Sequence, residues 1–219
     1  MPVPARAPAA GARGRRAARV SGETRESAIL ATAERLVAER PLQEISVDEL
    51  ARGAGISRPS FYFYFPSKEA VFLTLIDRLV EQADAGLEGL LQRLAEDPVA
   101  RWREALEIFH GTFGAHRPVV LAGAQLRGAS AEAREMWADV MEGWVAAAAE
   151  AIEAERARGA APAGLDARAL AVALVSMNER VMHAAFAGER PALQESGVVE
   201  VLLAVWLGAV YGTQQPPAG

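Results

Sequence analysis

Residues 45–70 read ISVDELARGAGISRPSFYFYFPSKEA, and the fold turns on this stretch. Ser46 precedes an apolar-periodic run and stands three residues before Glu49. That is the spacing of a capping box, in which hydroxyl and carboxylate satisfy each other's backbone amides. Ile45 and Leu50 are placed to staple across the cap. The short helix carries Leu50, Ala51 and Ala54 on one side and stops at Gly55. Ser57 then caps a second short helix, with Pro59 in the first turn, where its missing N–H costs little. Two capped helices around a glycine turn predict a helix-turn-helix. Phe61 to Phe65 are five aromatics in a row, after which Pro66 and Ser67 break the chain and cap a third, long element.

Upstream, Ile29, Leu30, Ala33, Leu36 and Val37 recur at helical steps from Glu23 until Pro41 ends the run. Residues 1–20, rich in Ala, Pro, Gly and Arg, are expected to form a flexible arm. Arg15 and Arg16 are followed by no apolar core, so the pair is not read as an export signal, and the protein is expected in the cytoplasm. Downstream, the third element runs from Lys68 to about Leu94. Further helices are predicted from Pro98 to His116, Pro118 to Gly128, Ser130 to Arg158, Asp166 to Ala187 and Glu195 to Tyr211. No strand pattern appears. The expected class is all-α with about nine helices: a helix-turn-helix head over 21–66 and a larger helical body over 67–219.

Composition narrows the chemistry. The 219 residues hold no cysteine, which excludes disulfides, thiolate metal sites and cysteine nucleophiles. The histidines, His110, His116 and His183, contain no i,i+4 pair for a helical zinc motif. No cofactor fingerprint is present, and none is expected. The net charge of −5 is unevenly spread: residues 1–68 carry eleven basic and seven acidic side chains, whereas the remainder is strongly acidic. A basic front on an acidic body suits a polyanion-binding head.

The stretch 45–70 resembles the helix-turn-helix of the TetR family of transcriptional regulators, down to its aromatic run and the Ser67-Lys68-Glu69 that follows. A likeness to one repressor of that family extends over most of residues 21–212. It rests on Ala28 to Glu34, Ala154 to Arg156, Gly159 to Pro162, Met177 to Arg180 and Phe186 to Glu189, and it departs at Ala147, Ala148, Val175 and His183. The resemblance implies a homodimeric, ligand-responsive repressor of palindromic operator DNA, with a neighbouring monooxygenase gene as target. An efflux or lipid-metabolism target with another effector is the alternative, and a helical enzyme with an apolar substrate pocket is a remote one.

On this reading the helix beginning at Ser57 lies in the major groove and offers Arg58, Ser60 and Tyr62 to bases and phosphates. Phe61 and Phe65 anchor it in the core. Tyr64 and Lys68 resemble the family's phosphate-contacting pair, and Ser46 at its helix N-terminus is a further phosphate candidate. In the body, Trp102, Phe109 and Phe113 form one stripe, and Trp137, Met141 and Trp144 another. Such stripes ordinarily pack a core; the resemblance implies that they enclose an effector pocket, with Met182, His183, Phe186 and Trp206 beside it. Asn178, the only asparagine, is the expected polar anchor for an elongated, uncharged, mostly apolar effector. Glu179 is expected to point away from that pocket. The last two helices are apolar enough to predict a twofold dimer interface.

Overall fold

The computed structural model describes the backbone of residues 10–217 and the side chains from Gly22 onward. Nine α-helices and three short 3-10 turns account for its regular structure, with no strand among the described residues. The chain divides into two compact units, residues 1–72 and 73–219.

The first unit is built on α1 (Ala10–Glu39), α2 (Val47–Gly53) and α3 (Arg58–Phe61). Helix α1 begins at Ala10 rather than Glu23. No proline intervenes between Pro8 and Pro41, and Ala and Arg are strong helix formers. Of the expected arm, residues 1–9 and the side chains of Arg13, Arg15, Arg16 and Arg19 lie outside the described residues. The capping box at Ser46 is present: the Glu49 amide donates to Ser46 Oγ at 3.3 Å, and the Ser46 amide to Glu49 Oε2 at 3.0 Å. Ile45 and Leu50 are both fully buried, as a staple requires. Gly55 takes φ +67°, and the Ile56 amide reaches back to the Ala51 carbonyl at 3.0 Å. A left-handed residue with this back-bond is how a helix ends in a tight turn, and glycine alone adopts it without strain. Ile29, Leu30, Ala33, Leu50, Phe61 and Phe65 make the core, joined by Val71 and Phe72 from the start of α4 (Lys68–Leu87). The head therefore extends past Pro66, where the sequence had placed its end.

The second unit holds the rest of α4 with α5 (Pro98–Ala115), α6 (Arg117–Ala129), α7 (Ala131–Ala157), α8 (Ala167–Ala187) and α9 (Val198–Tyr211). Helix α4 stops at Leu87 rather than Leu94, because Gly89 turns left-handed at φ +69°. Helix α7 packs along α6 and α8, while α5 packs along α9. Asp97, Ser130 and Asp166 cap α5, α7 and α8 by accepting from the third amide of each helix.

One buried polar network ties α5, α7 and α9. Glu155, 2% exposed, accepts from the Tyr211 hydroxyl at 2.8 Å and from Arg158 Nε and Nη2 at 2.7 and 2.6 Å. Trp102 Nε1 donates to the same hydroxyl at 3.1 Å. A buried carboxylate is tolerable only when paired this fully. Burial pushes the Tyr211 phenol well above its ordinary pKa, so it stays a donor.

Candidate DNA interface and effector cavity

The head presents α3 and the turn after it as an outward face. Phe61 and Phe65, four residues apart, are buried at 0% and 5% exposure. The amides of Phe63, Tyr64 and Phe65 return to Ser60 and Phe61, so helical winding continues beyond Phe61. At about 100° per residue this leaves Pro59 and Phe63 opposite the core, with Tyr62 beside them. Pro59 is exposed, Tyr62 is 48% exposed and Phe63 is 88% exposed.

The polar side chains expected to read DNA have partners within the head. Ser57 Oγ accepts from the Ser60 amide, and the two hydroxyls bond at 2.8 Å. Arg58 is bound by the Tyr62 hydroxyl and by Asp48, whose Oδ2 lies 3.1 Å from Nη1; both raise its already high pKa. Ser46 faces the Glu49 carboxylate, which also takes Arg40 Nη2 at 2.6 Å. Hydrogen bonds from Ser46 first, then Arg40, hold Glu49 down at about 2. An acidic side chain therefore occupies the N-terminus where a phosphate was expected. Tyr64 is half-buried. Lys68 Nζ donates to the carbonyls of Ile45, Leu42 and Gln43 at 2.8, 3.1 and 3.4 Å. Its three donors are committed to the loop before α2, which sequence spacing gave no means to foresee.

The body contains a cavity of about 810 Å³, its open mouth included. Leu73 and Ile76 of α4, Phe109 and Phe113 of α5, and Val120, Gly123, Ala124 and Arg127 of α6 line one part. Helix α7 supplies Ala133, Met136, Trp137 and Trp144; α8 supplies Val175, Glu179, Met182, His183 and Phe186. Trp144 sits edge-on to Phe109, Phe113 and Trp137 at ring separations of 4.8, 5.9 and 5.8 Å, and its Nε1 donates to Asp84 at 2.8 Å. The structure thus gathers Phe109, Phe113, Trp137, Trp144, Met182, His183 and Phe186 in one wall.

Four expected lining residues lie elsewhere. Trp102 and Trp206 pack on each other in the buried core, their rings tilted by 33° at a centroid separation of 4.6 Å, and Met141 is outside the wall. Asn178 is also outside it; its Oδ1 accepts from Trp206 Nε1 at 3.0 Å, tying α8 to α9. The cause is rotational. Val175, Met182 and Phe186 centre the α8 stripe so that Glu179 falls within it and Asn178 on its flank toward α9. Glu179, expected to point away, faces the cavity and accepts from Arg127 Nη2 at 2.8 Å. Arg127 also lies 4.9 Å over the Trp137 ring. The wall is therefore not free of formal charge, although its charges are paired. His183 Nε2 is 3.3 Å from Glu189, whose pKa is lowered chiefly by Arg180.

Comparison with known proteins now decides the class. Residues 29–75 match the model of bacterial regulatory proteins of the tetR family, and residues 102–212 match the C-terminal domain of the transcriptional regulator EthR. The chain belongs to the TetR family of transcriptional regulators. It is 54% identical over 201 residues to the HTH-type transcriptional regulator EthR of Mycobacterium tuberculosis, covering 91% of this chain and 93% of that one. The EthR of Mycolicibacterium smegmatis is 51% identical, covering 92% and 93%. Among solved structures, a TetR-like regulator from Rhodococcus sp. aligns with TM-score 0.63 at 25% identity, covering 84% of this chain and 94% of that one. The fatty acid degradation regulator FadR from Bacillus halodurans shares the fold, with TM-score 0.66 at 18% identity over 84% and 95%. TetR-family regulators bind operator DNA as dimers and answer small-molecule effectors. No described helix of this TetR-family chain is long and apolar enough to cross a membrane.

Proposed function

We propose that the chain is a homodimeric repressor released from its operator by an elongated, uncharged and mostly apolar molecule held in the body's cavity. The observation that carries this reading is the cavity wall itself. Phe109, Phe113, Trp137 and Trp144 supply its bulk, while Arg127 and Glu179 neutralise each other. A charged ligand would have to displace one member of that pair and leave the other unpartnered, a costly exchange in a confined site. A neutral chain leaves the pair intact.

The proposed dimer surface lies on α8 and α9. Val172, Val201 and Val205 are 43, 44 and 41% exposed, and Val201 and Val205 share one face of α9. Leu174, which is also on α8, is 4% exposed and belongs to the subunit's own core, so it is not an interface probe. In the head, Tyr62 and the residues around it face the duplex, with Tyr64 nearby for phosphate. Residues 22–68 carry six basic and seven acidic side chains, so the basic excess of the front comes from the five arginines before them. Those arginines are proposed to supply long-range attraction to DNA.

By likeness to EthR the target is a neighbouring gene. Footprinting of the DNA flanking the protein's own gene tests this: a protected palindrome is expected, and no protected site would defeat the repressor reading. The effector arm of the same experiment adds 1-decanol, which should abolish protection.

A further inference from the structure

Phe63 is the most exposed large apolar side chain among the described residues, at 88%. Phenylalanine is ordinarily among the most buried residue types, so this exposure marks a surface waiting for a partner. It does not stand alone. Exposed Pro59 lies on the same outward face, four residues before it, and the half-exposed ring of Tyr62 adjoins them. The polar groups at this end of the head are also at the surface but already paired: Ser57 and Ser60 bond each other, and Arg58 bonds Asp48. The outward face that Pro59 and Phe63 share is apolar.

In the major groove one base-pair feature is apolar, the thymine C5-methyl, which alkyl and aromatic side chains contact and which distinguishes thymine from cytosine. We infer that this head reads thymine methyl groups, with Phe63 as the principal specificity-determining side chain and Pro59 packing beside it. The inference rests on operator binding by the head. Arg58 and Ser60 then act mainly by holding the shape of α3, and the operator carries thymines where the turn after α3 meets the groove.

The test starts from a random-sequence pool of duplexes, from which the full chain selects its own site. The recovered duplex is remade with every dT replaced by dU, which removes the methyl and keeps the pairing. The wild type should bind the dU duplex about fourfold more weakly for each methyl it covers. Phe63→Ala, at an exposed position, should fold normally by circular dichroism. On the dT duplex it should lose a comparable factor, and its dT/dU discrimination should fall below about twofold. Single dT→dU changes then locate the contacted base. Equal wild-type affinity for the two duplexes would overturn the inference. So would a Phe63→Ala variant that loses affinity equally on both, since the ring would then touch the sugar–phosphate backbone. Failure to select any duplex would instead remove the DNA-binding reading beneath it, and the inference with it.

Discussion

Replacing Lys68 by Met keeps the length of the side chain and removes its three donors. In the structure those donors meet the Ile45, Leu42 and Gln43 carbonyls. A hydrogen bond to a charged group contributes about 1.5–3 kcal/mol. The Gln43 bond is long and exposed, so water replaces it. The Leu42 carbonyl keeps the Ile45 amide at 3.1 Å. The part-buried Ile45 carbonyl, at 2.8 Å, therefore dominates, and the head should lose about 2–3 kcal/mol. The four tryptophans, Trp102, Trp137, Trp144 and Trp206, all lie in the body, so their fluorescence follows that unit alone. Urea unfolding by far-ultraviolet circular dichroism should show an earlier head transition, with the tryptophan transition unmoved. A lysine whose task was phosphate contact would behave in the opposite way. Head stability would change by less than about 0.5 kcal/mol, and the salt dependence of DNA binding would flatten by about one charge per subunit. That outcome would refute the assignment of Lys68 to the loop carbonyls.

Three further outcomes follow from named contacts. Glu49 titrates at about 2 when folded and near 4.5 unfolded, so its contribution is complete above the unfolded value and disappears as pH falls toward 2. Glu49→Gln should thus show a smaller drop in melting temperature than the wild type across that interval; parallel curves would contradict the cap. Val205→Glu should shift sedimentation equilibrium toward monomer by several kcal/mol, because an unpaired charge would be buried between subunits, whereas an unchanged dimer would place the interface elsewhere. Asn178→Leu removes the acceptor of Trp206 Nε1 and should lower body stability by about 1–3 kcal/mol, leaving the affinity of 1-decanol within about twofold. A large loss of decanol affinity without loss of stability would return Asn178 to the cavity.

What could be read from the sequence was local punctuation. Ser46 with Glu49, and Ser57, each begin a helix where the capping pattern put one, and α5, α7 and α8 begin within a residue of the expected Pro98, Ser130 and Asp166. Spacing put Phe109 with Phe113 and Trp137 with Trp144 on single helix stripes, but that the stripes enclose a cavity was implied by the resemblance, and Trp102 and Met141 of the same stripes lie outside it. Tertiary choices were not legible. Nothing in the spacing of Asn178 and Glu179 tells which of two neighbours faces a cavity, because that depends on the rotation of α8 against α7 and α9. Lys68 reaches carbonyls more than twenty residues away in sequence. Phe63 looked like one more member of an aromatic run; only the burial of Phe61 and Phe65 at i,i+4 reveals that it points outward. A helical wheel phased on those two would have found it.

The central claim is that occupation of the cavity and operator binding oppose each other. The most direct test is the dissociation constant of the full-length protein for its selected duplex, measured by fluorescence anisotropy with the protein free and saturated with 1-decanol. Emission from Trp137 and Trp144, both in the cavity wall, reports saturation. The account predicts that the saturated protein binds the duplex about 5- to 150-fold more weakly, and that saturating duplex weakens decanol binding by the same factor. A saturated protein that binds the duplex as tightly as the free one would contradict it.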